Sequence, residues 1–198
     1  VYKRQLLKRG VKQYMMVGNH DIYYKNTLRV NSPELLLAEY ENITIISEPT
    51  ELSVGGCDFI LIPWICDENR ERTFESIASS NASVCLGHLE LNGFEAVPGH
   101  TMEHGQDPSI FDKFDLTCTG HFHMRSRKGN IQYLGNPYQL YWNDYGQERG
   151  FHTLNTKTKR LQFHKNPNKM FHKIIYKDEE TSDTVSYTHL TLPTNHPV

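Results

Sequence analysis

Apolar residues fall in short runs separated by polar turns, the spacing of strands rather than of long helices. Runs at 13–17, 43–46, 52–54, 59–62, 83–86 and 116–119 each predict a strand, and Gly55-Gly56 predicts a tight turn inside the third and fourth. Residues 5–10 read as the end of a basic helix closed by Gly10. Asn31-Ser32-Pro33-Glu34 reads as a helix start: Asn can cap, and Pro suits the first turn. That helix continues over 35–40, a polar helix is predicted over 67–80, and a short one near 108–114. Beyond residue 130 the chain turns β-rich, with strands at 131–134, 151–154 and 160–164 and a hairpin turn at 155–159. Alternating β and α units followed by a β meander predict an α/β fold with at least one largely buried sheet.

Residues 1–176 carry this pattern and form the predicted domain; 177–198 form a tail. Within it, 185–198 back-translate to a transposase mosaic end of the kind used in sequencing adapters, so that stretch is expected to be a read-through product. Truncation at both ends is expected with it. The whole is 37% hydrophobic and 22% charged, a globular composition. No apolar run approaches the ~18 residues of a membrane span, and no apolar stretch follows the basic opening residues, so neither a spanning helix nor a signal peptide is expected. Cys57, Cys66, Cys85 and Cys118 form no C-x-x-C pair, which points to buried reduced thiols and a cytoplasmic setting.

Charge is uneven. Residues 1–124 hold ten basic and seventeen acidic side chains, a net of −7, whereas 125–173 hold ten basic and two acidic, a net of +8. The basic stretch opens with Arg125, Arg127 and Lys128, candidates for contact with nucleic-acid phosphates. Tyr138, Tyr141 and Trp142 follow, and could stack on an unpaired base or simply fill core and rim.

Three strands share one ending. Met15-Met16-Val17 runs into Gly18-Asn19-His20-Asp21, Val84-Cys85-Leu86 into Gly87-His88, and Leu116-Thr117-Cys118-Thr119 into Gly120-His121-Phe122-His123. In open α/β sheets, sites form beyond the carboxyl ends of strands, and a Gly there permits a sharp exit. Asn19, His88 and His121 are thereby aimed at one point, with His123 admitted if the chain turns after Gly120. Imidazoles with an amide oxygen suit Mn, Fe, Zn or Co better than Ca or Mg, and the lack of thiolates argues against a structural zinc. His20 beside Asp21 has the character of a proton donor or a cation facing a developing negative charge. His100 and His104, four apart but bracketed by Gly99 and Gly105, read as a loop.

These motifs resemble the third, fourth and fifth of the calcineurin-like metallophosphoesterases. Residues 87–94 (GHLELNGF) and 133–137 (YLGNP) are similar, more narrowly, to the SbcD-like DNA repair nucleases and the small subunits of phage recombination endonucleases. The resemblance implies a β-sandwich flanked by helices (α/β/β/α) and two divalent metal ions, usually Mn2+. It implies Asn19, His88 and His121 on one ion, His123 on the other, and catalytic His20 paired with Asp21. It further implies hydrolysis of DNA, as exonuclease and endonuclease, in recombination and double-strand-break repair, beside an SbcC-like coiled-coil ATPase, with a homodimer as one arrangement. A phosphatase, a cyclic-nucleotide phosphodiesterase or a non-catalytic scaffold of the same fold are the alternatives. The first two family motifs, Asp-x-His and Gly-Asp-x-x-Asp, do not stand before Gly18, so the fold is expected to lack its first strand–helix–strand unit. These 198 residues alone are then expected to bind metal weakly and to be inactive.

Overall fold

A computed structural model describes residues 2–97 and 99–175; the 177–198 tail lies outside the described residues. Helix α1 (Tyr2–Lys8) leads through Gly10 into strand β1 (Gln13–Met16). Helix α2 (Ser32–Leu37) starts as its sequence dictates: Asn31 is extended and its side-chain oxygen accepts the Glu34 N–H at 2.9 Å, with Pro33 in the first turn. Strand β2 (Ile43–Ile46) then pairs with β1 in parallel.

Strands β3 (Thr50–Val54) and β4 (Cys57–Ile62) form an antiparallel hairpin. Its turn is Gly55-Gly56 at φ +58° and +75°, backbone that two glycines adopt without a Cβ clash. Helix α3 (Arg70–Ser79) crosses to β5 (Val84–Gly87), followed by the small pair β6 (Glu95–Val97) and β7 (His100–Thr101). After a 3-10 turn at Pro108–Phe111 come β8 (Leu116–Thr119), β9 (Ser126–Lys128) and β10 (Ile131–Tyr133). A second 3-10 turn, Trp142–Asp144, precedes the hairpin of β11 (Gly150–Asn155) and β12 (Arg160–Lys165).

The main sheet is mixed and six-stranded, in the order β3-β4-β5-β8-β10-β9. Strands β4, β5, β8 and β10 are parallel; β3 and β9 run antiparallel at the edges. Both faces are covered, which is why the run at 59–62 is continuously apolar. Alternation sends Ile60 and Ile62 to one face, where they meet Ile77 of α3, Phe111, Phe114, Phe122 and Tyr133. Phe59 and Leu61 go to the other, where Ile46 of β2 and the half-buried Leu154 and Leu161 of the last hairpin pack on Val84, Leu116 and Cys118. The molecule is therefore α/β, with a helix-covered face and a strand-covered face. All four cysteines are buried and free.

Candidate metal centre

The carboxyl ends of four strands are stitched together by backbone bonds. Trp64 N–H donates to Val17 C=O at 2.8 Å, His88 N–H to Ile62 C=O at 3.0 Å, and Gly120 N–H to Gly87 C=O at 3.0 Å. This brings the segments after β1, β5 and β8 to one edge, as the three Gly endings predict. Asn19 Oδ1 sits 2.9 Å from His88 Nε2 and 3.3 Å from His121 Nδ1. The two imidazoles lie edge to face with centroids 5.4 Å apart. Trp64 walls them, 5.1 Å from the His121 ring and 6.0 Å from the His88 ring.

The glycines matter for space as much as for backbone freedom. A Cβ on Gly18 would stand 2.8 Å from His88 Cε1, closer than real Cβ contacts come. The turn after Gly120 is tight enough to put His121 at φ +82°, left-handed backbone that costs a non-glycine residue about 1–3 kcal/mol and is held only by its surroundings.

Electrostatics keep the cluster neutral. Burial, reinforced by the neighbouring His121, His20 and His123, lowers His88 to about 4. Burial also lowers His121, against the opposing pull of Glu90. Both rings therefore carry free lone pairs at neutral pH, the state a metal ligand requires. His20 stands exposed at the rim, near enough for its charge to act on both rings. Asp21 Oδ2 accepts the Gly18 N–H at 2.8 Å, so its carboxylate braces the loop that presents Asn19.

His123 sits apart from this trio, its ring parallel to Tyr141 within 5° at 5.5 Å between centroids. His121 and His123 nevertheless line one cavity of about 340 Å3. The candidate phosphate-binding cations lie elsewhere. Arg125 covers the Phe163 ring at 3.5 Å and stands 3.8 Å from Glu148. Arg127 Nε donates to Gly129 C=O, and Lys128 Nζ to Gly93 C=O. All three belong to the edge of the sheet around β9, each engaged locally. Of the two histidines expected in a loop, His104 lies in a bend, whereas His100 belongs to strand β7 because its backbone pairs with Val97 of β6.

Other residues support the site: Tyr133 opens the 133–137 motif, while Asp144 and Arg149 carry no sequence signal that singles them out. Tyr133 hydroxyl donates to Leu89 C=O at 2.9 Å and accepts Leu91 N–H at 3.0 Å, fixing the segment after His88. Asp144 and Arg149 form a buried ion pair at 2.6 Å, 5% and 4% exposed. Arg149 also donates to the His123 C=O, tying the pair to the third histidine. Burial alone would raise the Asp144 carboxyl. The Leu140 and Tyr141 N–H groups, the Asn136 amide and the Arg149 charge outweigh it and hold the group below its ordinary value.

The donor atoms fit an ion in part. Ligands of a cation bound at about 2.1 Å stand roughly 3.0–3.4 Å apart in octahedral or tetrahedral shells. The 2.9 and 3.3 Å separations from Asn19 Oδ1 match that spacing. Among the described residues, no three His, Cys, Asp or Glu side chains stand as a ready-made metal-binding group. The trio is completed by an amide, and no carboxylate joins it.

The fold and this edge define an α/β protein with a neutral His–Asn cluster beyond the carboxyl ends of its parallel strands. Among known proteins, the chain is similar to exonuclease subunit 1 of Enterobacteria phage T4, 37% identical over 183 residues. That match takes in 92% of the chain and 54% of the relative, so the chain spans about half the length of the curated relative it matches. No protein-family model matches the sequence. Among the described residues, no helix is long and apolar enough to cross a membrane.

Proposed function

We propose that the chain carries the metal- and phosphate-handling edge of a metallophosphoesterase-type nuclease that hydrolyses phosphodiester bonds of DNA. The observation that carries this reading is the approach of His88 Nε2 and His121 Nδ1 to Asn19 Oδ1, at 2.9 and 3.3 Å, from segments up to 102 residues apart. The similarity to a phage exonuclease subunit supports the substrate class. That relative is named a subunit, which supports work beside a second polypeptide, for which an SbcC-like ATPase is the proposal.

In this reading Asn19, His88 and His121 hold one divalent ion, manganese above all, and His123 contributes to a second. Such ions supply Lewis acidity to the phosphoryl oxygens and a nucleophile drawn from water. Trp64 packs beside both imidazoles and would orient them toward the ion. His20, exposed at the rim, would protonate the leaving oxygen or face its charge. Asp21 holds the Gly18–Asn19 turn in place through the Gly18 N–H. Three donors without a carboxylate bind an ion weakly, so affinity is the sensitive readout on this chain.

Calorimetric titration with Mn2+ should give weak binding that Asn19→Ala or His88→Ala lowers by at least about tenfold. The reaction is tested by cleavage of end-labelled DNA, by this chain and by the full-length product of its gene. Manganese-dependent hydrolysis lost in His88→Ala supports the reading; cleavage indifferent to both metal and His88, or no cleavage by either polypeptide, overturns it.

A further inference from the structure

The cavity beside His121 and His123 is not explained by metal binding. Its walls are largely apolar, with Val97, Met102, Phe122 and Met124 among them, and its open side is flanked by Tyr141 and Asn143. Tyr141 is 61% exposed and belongs to a run of exposed apolar side chains with Tyr138, Leu140 and Trp142, and such contiguous patches mark contact surfaces. Yet the ring is not loosely carried. Its backbone N–H and that of Leu140 both donate to Asp144 Oδ2, at 3.2 and 2.8 Å, and Asp144 N–H returns a bond to Tyr141 C=O at 2.9 Å. Asp144 is in turn locked to Arg149, whose guanidinium reaches the His123 carbonyl. A buried ion pair thus fixes the backbone that carries this exposed ring, which lies parallel to one of the candidate ligands. Rigid support beneath an exposed ring is the arrangement of a preorganised contact.

We propose that this cavity is a nucleobase pocket, in which one unpaired base of a DNA strand stacks on Tyr141 while its phosphate faces the histidines. The inference rests on the nuclease reading and adds to it a substrate form: a strand end or a base flipped from its stack rather than intact duplex. The chemistry selects that occupant. At about 340 Å3 the cavity is at the small end of ligand pockets, room for one planar group and not for a paired helix. Aromatic and thioether walls suit the faces of a base, and stacking on such a platform tolerates any of the four. The Asp144 carboxylate on the wall is already consumed by two N–H donors, Asn136 and Arg149, so no free negative charge meets the base. Asn143, exposed at the mouth, offers an amide that both donates and accepts, able to meet either kind of base edge.

The test uses the full chain in excess chelator, so that no strand is cut, with a short single-stranded oligonucleotide carrying 2-aminopurine near its end. Binding should quench the fluorophore, and Tyr141→Ala should remove the quench and weaken binding roughly tenfold, the scale of one lost stack. Tyr141→Phe should restore both, since the ring and not the hydroxyl is used. An oligonucleotide abasic at that position should bind the wild type no better than the normal one binds Tyr141→Ala. Circular dichroism of the variants checks that this surface change leaves the fold intact. Binding that ignores both Tyr141 and the missing base, or absence of DNA binding by the wild type, overturns the pocket and leaves the nuclease reading to its own cleavage test.

Discussion

His88 is the residue on which most of the site leans, and two of its properties can be measured alone. Its pKa falls to about 4 from an ordinary value near 6.5, through burial first and the neighbouring histidines second. A folded ring that resists protonation is matched, between these two values, by an unfolded chain that accepts the proton. The unfolded state therefore binds more protons in that window, and stability must rise with pH from about 4 to 6.5 and be lost on acidification through it. Denaturant unfolding of metal-free protein across that range should show this slope, and His88→Gln should flatten it by up to about one proton; an unchanged slope would place the ring in water. Gly18 offers the second measurement. Since an added Cβ would meet His88 Cε1 at 2.8 Å, Gly18→Ala should displace the ring and lower manganese affinity by at least about tenfold, while Gly10→Ala, which strains a backbone at φ +66° but meets nothing within 4 Å, should lower stability and leave affinity unchanged. At this scale the sequence shows which atoms meet, because Asn19, His88 and His121 each follow a strand and a glycine. It does not show the positive φ of His121, nor that Asp21 serves the Gly18 N–H, because both depend on how the turns close in space.

Among the elements, the turn Trp142–Asp144 has the least sequence signal and the clearest job. Asp144 and Arg149 belong to no sequence motif, and their partners lie at 136, 140, 141 and 123, a set no local pattern connects. Removing one partner strands a buried charge, so Arg149→Met should cost about 3–5 kcal/mol in chemical denaturation. The double variant Asp144→Leu with Arg149→Met should recover much of that loss; equal destabilisation by single and double variants would mean that the pair is solvated. Strands divide along the same line. The run at 59–62 announces itself because both of its faces are buried, whereas Ser126–Lys128 holds no apolar residue and gives no strand signal. It is a strand because the β10 backbone pairs with it, an edge position where charged side chains remain in water.

For the whole molecule, one sheet with two differently covered faces explains both the core and the edge at which the candidate site forms. The α3-side core contains Phe111, fully buried, and Phe111→Ala should destabilise by about 3–5 kcal/mol while leaving the metal edge unaltered, separating core from site in one variant. The α/β alternation was legible from the spacing of apolar runs, and the convergence of three strand ends from the rule that parallel strands open their sites at the carboxyl edge. The stacking of the β1–β2 pair and the last hairpin on the second face was not, since side chains such as Leu154 and Leu161 show which residues are apolar but not what they meet. The central claim is that Asn19, His88 and His121 share one cation. Pulsed electron paramagnetic resonance of Mn2+ added to the chain should show nitrogen couplings from two imidazoles, one of them lost in His88→Ala and one in His121→Ala. A spectrum with no coordinated nitrogen, or one unchanged in both variants, would contradict it.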